Sequence, residues 1–560
     1  MENTTRYSYE PLRTANSIRI ITLLPGFGHD QLKCTLNDVT IDESLDYEAI
    51  SYVWGDEANP VFIMCDDLGR SLPITQNLAA ALFRFRRVDE TRVLWADAIC
   101  INQEDIAERG HQVQLMGKVY REACCVLIWL GEEDEHTELV SACFRSSFIE
   151  LTEAETSALN LFFGRPWFHR AWTFQESVLA QQTRVHCGTY QYSKQTVYDG
   201  IQGLSWAIES GLIEPEFEHN LRVSSTMTRP ENCHTDDFGF RELLLSRRGS
   251  HCKDPRDLIY SLLGIARDIA GIEPDYSRSI QDVFTSTTSH IIRSTQNLSI
   301  LRQINTQKFD ALLPSWVLDL RERKLETTLS MRLDDWAGRH DDWLVDAGVA
   351  KMAPFHPGSL NHGTHLRVHG LYVDEIKDQV EGENLDAFFS LFLGEKYYTY
   401  GADRIELAFL RTMALDYSFH PEVSRSRRSA KPRWKYDFKP EDFYNISFRN
   451  KHANLFERTT KGQNLFRTTD SFMGLGPRRS QKGDIICIIC GIESPVLLRP
   501  TGNEYLFVGH CYVYGLLGGT ALYWARSKAR RKANPDDDGE DISWFNNPPI
   551  LSEMQEFILK

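Results

Sequence analysis

Apolar and polar positions along the N-terminal third switch between a period of two and a helical period, which predicts strands alternating with helices. Tyr47–Trp54 (YEAISYVW) alternates and ends on Gly55-Asp56, the pattern of a strand running into a tight loop. Ile18–Leu24 and Leu32–Leu36 read as two strands around Pro25-Gly26-Phe27-Gly28. Val61–Cys65 and Ser71–Ile74 read as a hairpin around Asp67-Leu68-Gly69. Thr75 is placed to cap a helix over Gln76–Arg87, whose Leu78, Ala81, Leu82 and Phe85 share one face.

Arg92–Gly131 reads as one strand–helix–strand unit. Val93–Ala96 is short and apolar. A helical pattern follows over about Glu104–Arg121, with Asn102 as the expected N-cap and Val113, Met116, Tyr120 and Ala123 on one face. Cys124–Leu130 is then a continuous apolar run closed by Gly131, as in a parallel strand buried on both faces. In such sheets ligands gather at the carboxyl ends of the strands, the edge where Asp97 and Gly131 fall. An acidic, helix-prone stretch reaches Phe163, Pro166 opens a helix expected to run to about Ala180, and Thr183–Cys187 reads as a strand. Further on, Asp254-Pro255-Arg256-Asp257 caps an expected helix over Leu258–Ile265, another falls near Ile280–Ile292, and Gly474–Gly519 returns to strands. The fold expected is α/β in the N-terminal part, followed by a mixed α+β region.

Length and composition narrow the class. A chain of 560 residues exceeds one ordinary core. Its 42% hydrophobic, 25% charged and 11% aromatic residues are those of a globular protein. The net charge of -16 speaks against generic nucleic-acid binding. Twelve scattered cysteines, several inside apolar runs, read as reduced core thiols of a cytosolic chain. Neither a secretory h-region at the N-terminus nor an apolar run of membrane-spanning length is visible.

Few segments carry chemistry on pattern alone. Cys487-Ile488-Ile489-Cys490 sits in a strand pattern that turns its two cysteines to opposite sides, so core thiols are the simpler reading. Cys233-His234 and His251-Cys252 supply zinc-type side chains, but adjacent residues rarely ligate one ion. Arg425–Lys435 (RSRRSAKPRWK) is a candidate anion or partner contact, with a solvated loop as the plainer alternative. Walker, dinucleotide-binding and nucleophile-elbow motifs are absent. Glu176 is the strongest acidic candidate: it stands four residues after Trp172, so the two share a helix face. A carboxylate partly desolvated by an aromatic ring can stabilise a cation developing at a sugar carbon. A surface glutamate paired with an arginine is the commoner reading of such a residue.

Three blocks together resemble the heterokaryon-incompatibility (HET) domain family of filamentous fungi: YEAISYVWGD at Tyr47–Asp56, the unit LWADAICINQEDIAERGHQVQLMGKVYREACCVLIWLG, and RAWTFQE at Arg170–Glu176. DPRDLIYSLLG, PDYS, LPSWVLD and RPTGNEYLFVGHCYVYG are similar to segments that follow this domain, and Gly518-Gly519-Thr520 departs from a Gly-Glu-Ala common in similar proteins. The resemblance extends to TIR domains, since WTFQE looks like the pattern W-C-L-x-E with Thr173 in place of Cys. It implies a cytoplasmic protein of non-self recognition that triggers cell death, with a TIR-like, flavodoxin-like parallel sheet flanked by helices and carrying added hairpins. It further implies NAD as substrate rather than cofactor, Glu176 as the catalytic residue, and Trp54, Asp56, Asp97, Asn102 and Trp172 as substrate-binding candidates. For Asp56 and Asp97 the plainer alternative is capping of loops and helix starts, and for Trp54 it is core packing. The alternative function is a non-enzymatic module that self-associates and recruits other incompatibility proteins. The expected organisation is an N-terminal pair of strands over residues 1–46, a HET domain over 47–190, a mainly helical region over 191–330 and an α+β region over 331–560.

Overall fold

The computed structural model describes residues 5–41, 46–66, 68–145, 151–209, 239–269, 271–304, 312–321, 360–361, 364–395, 397–398, 404–413, 439–445, 447, 453–492, 494–516 and 554–560. They form two compact units, Met1–Tyr276 and Ser277–Lys560. Among the described residues no helix is long and apolar enough to cross a membrane. Arg425–Lys435, Cys233-His234 and Gly518-Gly519-Thr520 lie outside the described residues.

The first unit is a sheet with helices packed on it. Its strands are β1 (Ser17–Leu23), β2 (Cys34–Thr40), β3 (Glu48–Tyr52), β6 (Arg92–Trp95), β7 (Cys125–Trp129), β8 (Thr183–Cys187) and β9 (Tyr190–Ser193). They lie in the order β2-β1-β6-β3-β7-β8-β9. β6, β3, β7 and β8 are parallel, and β1, β2 and β9 extend them antiparallel. Counted among themselves in chain order, the parallel strands lie 2-1-3-4. β7 is buried along its whole length, as its unbroken apolar run requires. A separate hairpin, β4 (Val61–Met64) and β5 (Ser71–Ile74), is inserted after β3.

The helices follow local signals. Thr75 accepts from the Leu78 amide and starts α1 (Gln76–Phe85), with Leu78, Ala81, Leu82 and Phe85 buried as their spacing predicts. After β6 come a short α2 (Asp97–Cys100) and then α3 (Ile106–Glu122). The cap of α3 is Asp105, which accepts from Ala107 and Glu108, and not Asn102. Asn102 instead closes a turn by accepting from the Glu104 amide at 3.2 Å. Met116, Tyr120 and Ala123 are buried as their spacing predicts and Val113 is half-buried; Gln112, Gly117 and Val119 are buried with them, the Gln112 amide donating to the Ser17 carbonyl at 3.0 Å. α4 (Thr137–Arg145) and α5 (Glu153–Phe163) follow β7, the latter opened by a Thr152/Glu155 capping box.

The helix expected over Pro166–Ala180 is two helices, α6 (Pro166–His169) and α7 (Ala171–Val178). They break at Arg170, which is extended and bridges His251 in parallel. Ala171 and His251 use their amides on the His251 and His169 carbonyls, a pairing over a long sequence separation. α8 (Lys194–Glu209) and the short α9 (Phe240–Ser246) and α10 (Asp257–Tyr260) complete the unit. The helix expected over Leu258–Ile265 is helical only to Tyr260 and continues as turns.

The second unit is a nine-stranded sheet preceded by α11 (Ile280–Thr295). Its organising strand is the 17-residue His365–Glu381. This strand pairs in succession with Gln555–Leu559, Ile485–Ile489 and Gln463–Thr468. Val496–Thr501 and Glu504–His510 link Ile485–Ile489 back to Gln555–Leu559, so the hydrogen-bonded path closes on itself. A closed path removes sheet edges. Cys487 and Cys490 are both buried there, as core thiols.

Candidate functional site

The carboxyl ends of β3 and β6 meet at Asp97. The Tyr52 hydroxyl donates to Asp97 Oδ1 at 2.9 Å and the Trp54 indole nitrogen to Oδ2 at 2.7 Å. The Ala98 amide adds a third bond at 2.8 Å, and the Gln103 side chain reaches the Asp97 carbonyl at 2.9 Å. Burial and the neighbouring Asp97 carboxylate hold the Tyr52 hydroxyl far above its usual range. On the other side of β3, Asn77 donates to the Val53 carbonyl at 2.5 Å and accepts from the Trp129 indole at 2.9 Å, tying β3 to β7 where the strand order reverses. Gly55 and Gly131, at φ 79° and 105°, let the chain turn away beyond these two strands.

α7 brings Glu176 against this edge. Its side chain is 4% exposed, and Oε2 has no hydrogen-bond partner within direct reach among the described residues. Burial pushes its pKa up to about 7. Arg170 pulls in the opposite direction, as do the Ser51 and Tyr120 hydroxyls acting at longer range, while Asp97 pushes it further up. Arg170 makes no ion pair with Glu176 among the described residues; its guanidinium donates to the Tyr52 carbonyl at 2.9 Å. Ser51 accepts from the Trp167 indole at 2.8 Å, and the Tyr120 hydroxyl donates to the Ile50 carbonyl at 3.2 Å. A carboxyl group of this kind exchanges its proton near neutral pH and, when ionised, concentrates charge in a poorly solvated place.

A cavity of about 700 Å³ opens beside the cluster. Trp54, Ala98, Asn102 and Gln103 line one side of it, and Leu72–Thr75 and Arg6–Tyr9 line others. Glu176, Asp97, Asp56 and Trp172 are not among its lining residues. The N-terminal arm is held there by backbone bonds from Tyr7 to Ser71 and from Ser71 to Thr5, and by Arg19, whose guanidinium donates to the Glu10 carbonyl at 2.7 Å.

Residues 47–176 match the family model for the heterokaryon incompatibility protein (HET) domain, a match that ends on Glu176. This stretch is similar to the HET domain. Residues 442–531 match the Het-6 β-barrel domain, the stretch in which the closing strands of the second unit lie. The chain is similar to heterokaryon incompatibility protein 6, OR allele, of Neurospora crassa, 23% identical over 92% of this chain and 96% of that protein. No solved structure matches.

Within the HET domain the structure brings Trp54 and Asp97 together, sets Glu176 within electrostatic reach of Asp97, and puts Asn102 with Trp54 on the cavity wall. It separates the other two candidates. Asp56 is exposed and caps its own loop through the Ala58 amide at 2.9 Å. Trp172 is half-buried and bears on Asp257, which accepts from the Tyr276 hydroxyl at 2.6 Å. Asp257 is held above the usual carboxylate range by burial. Ser51, Tyr52, Asn77, Tyr120 and Arg170 belong to the cluster without having been singled out as polar. The available signal was a hydroxyl or amide at positions whose apolar pattern demands burial, since a buried Tyr needs a partner. Among the described residues no group of three or more metal-ligating side chains exists, and His251 and Cys252 are no exception.

Proposed function

We propose that this chain acts in heterokaryon incompatibility, the process for which its Neurospora relative is named, and that its HET domain triggers the death of cells that fail self-recognition. The observation that carries the reading is the Glu176 cluster. A buried carboxyl group with a pKa near 7 lies at the carboxyl edge of a parallel sheet, inside the matched domain. The order 2-1-3-4 of the parallel strands is the order with which a flavodoxin-like sheet begins, which supports a TIR-like reading of residues 47–190.

In the catalytic form of this proposal the substrate is NAD. Cleavage of its nicotinamide–ribose bond passes through an oxocarbenium-like state. The Glu176 carboxylate would stabilise that charge. Nicotinamide leaves as a neutral group, so one carboxylate suffices. At 4% exposure, and outside the cavity lining, Glu176 meets a ribose only after the site rearranges. That burial favours a second form, in which the HET domain signals by self-association and recruits other incompatibility proteins without chemistry. NAD turnover by purified, assembled full-length protein distinguishes the two. Loss of NAD with wild type and none with Glu176→Gln supports catalysis; intact NAD with wild type removes it and leaves the signalling form.

A further inference from the structure

Two thiols meet beside the cavity, and neither reading of Glu176 uses them. Lys33 and Met64 form a parallel bridge, with the Met64 amide donating to the Leu32 carbonyl at 3.0 Å. The bridge is isolated, and Cys34 and Cys65 each stand one residue beyond one of its members. Bridged residues lie about 4.8 Å apart, so the two cysteines leave the bridge close to the ~4.4–6.8 Å of Cα separation that a disulfide spans. Both residues are 2% exposed, and both are free thiols. The Cys65 thiol donates to the Ile63 carbonyl at 3.5 Å, and the two sulfurs bear on each other electrostatically. This contact pulls the Cys65 thiol below its usual range, whereas it pushes Cys34 far up. Cys100, whose charge also bears on Cys34, is pushed up to about 12 by burial. Of the three sulfurs, Cys65 is therefore the one whose pKa is lowered and the one best placed to act as the nucleophile.

We propose that Cys34 and Cys65 are a redox pair that closes to a disulfide under a hydroperoxide, stapling the β1–β2 hairpin to the β4–β5 hairpin. The Cys65 sulfur attacks the peroxide oxygen, the O–O bond breaks, and the departing hydroxide takes the Cys65 proton, leaving a sulfenic acid. The Cys34 sulfur then attacks the Cys65 sulfur, the S–O bond breaks, and the second hydroxide leaves with the Cys34 proton as water. Two thiols are oxidised and one peroxide is reduced. The staple acts on the cavity because β4 pairs with β5 through Ile63–Leu72 and Met64–Ser71, and Leu72, Pro73 and Ile74 line it. The same β5 residue, Ser71, holds the N-terminal arm through its backbone.

The test treats the folded full-length chain with hydrogen peroxide, alkylates the remaining thiols and maps peptides without reduction. The expected result is a linked peptide containing Cys34 and Cys65, with two alkylation sites lost together and restored by dithiothreitol. Cys34→Ser and Cys65→Ser each abolish the link, and Cys100→Ser keeps it. The wild-type map stands by itself should a variant fail to fold. The proposal is overturned if Cys34 and Cys65 stay alkylatable, if Cys65 passes to the sulfinic acid without linking, or if the link forms only in denaturant.

Discussion

The Trp54 indole nitrogen donates to Asp97 Oδ2 at 2.7 Å, which joins the wall of the cavity to a carboxylate that also holds the buried Tyr52 hydroxyl. Trp54 lines the cavity and Asp97 bears electrostatically on Glu176, so this bond lies between the cavity wall and a charge that the buried carboxyl senses.

Removing the acceptor strands three donors, the Tyr52 hydroxyl, the Trp54 indole and the Ala98 amide. Asp97→Ala is expected to lower stability by about 1–3 kcal/mol, the cost of leaving buried polar groups unpaired. Tyr52→Phe removes a donor and leaves Asp97 two others, so its loss should be the smaller. Urea denaturation midpoints measure both. An equal or greater loss for Tyr52→Phe contradicts the assignment of Asp97 as the hub.

Glu176 makes stability depend on pH in a definite sense. Its proton is held up to about pH 7 in the fold, against 4.5 for an ordinary glutamate. The stability this contributes is therefore whole below pH 4.5 and drains away as pH rises towards 7. Glu176→Gln abolishes this titration, and its stability relative to wild type should climb across the window by up to about 3 kcal/mol, at ~1.4 kcal/mol for each pH unit. His186 acts in the opposite sense: burial lowers its pKa from 6.5 to about 4, so its contribution is present above 6.5 and lost as pH falls. The two slopes oppose each other in the wild type, and the Gln variant should show the acid-side loss unmasked. Denaturation midpoints taken through this range check the difference; a variant that parallels wild type throughout contradicts the buried-acid assignment.

Asp257 serves a different part of the domain. It accepts from the Tyr276 hydroxyl at 2.6 Å, which ties the two ends of the Asp254–Tyr276 segment together. Tyr276→Phe keeps the ring and loses the hydroxyl, so it should cost about 1 kcal/mol and speed proteolysis between Asp254 and Tyr276. Cleavage at the wild-type rate would show that the hydroxyl bond does not hold this segment.

The legible part of the fold was the part with a local cause. The alternation of YEAISYVW, the unbroken run at β7 and the strand Thr183–Cys187 fixed where the sheet lies, because burial on one or both faces writes itself into consecutive residues. The break at Arg170 was hidden, since its cause is His251, far off in the chain. The cap of α3 was misplaced because Asn102 and Asp105 are both good caps, and only the path of the chain after α2 selects Asp105. For the site, Glu176 and Asp97 stood out as charges in apolar surroundings. Tyr52 and Tyr120 did not, because a tyrosine in a core pattern reads as packing until its hydroxyl partner is known.

The most direct test of the account is survival of a fungal host in which the full-length chain is induced, wild type against Glu176→Gln. The variant is expected to be no less stable than wild type at neutral pH, so loss of the protein is not the expected cause of a difference. The account predicts that wild type kills and Glu176→Gln does not. Killing by Glu176→Gln at the wild-type level would contradict it.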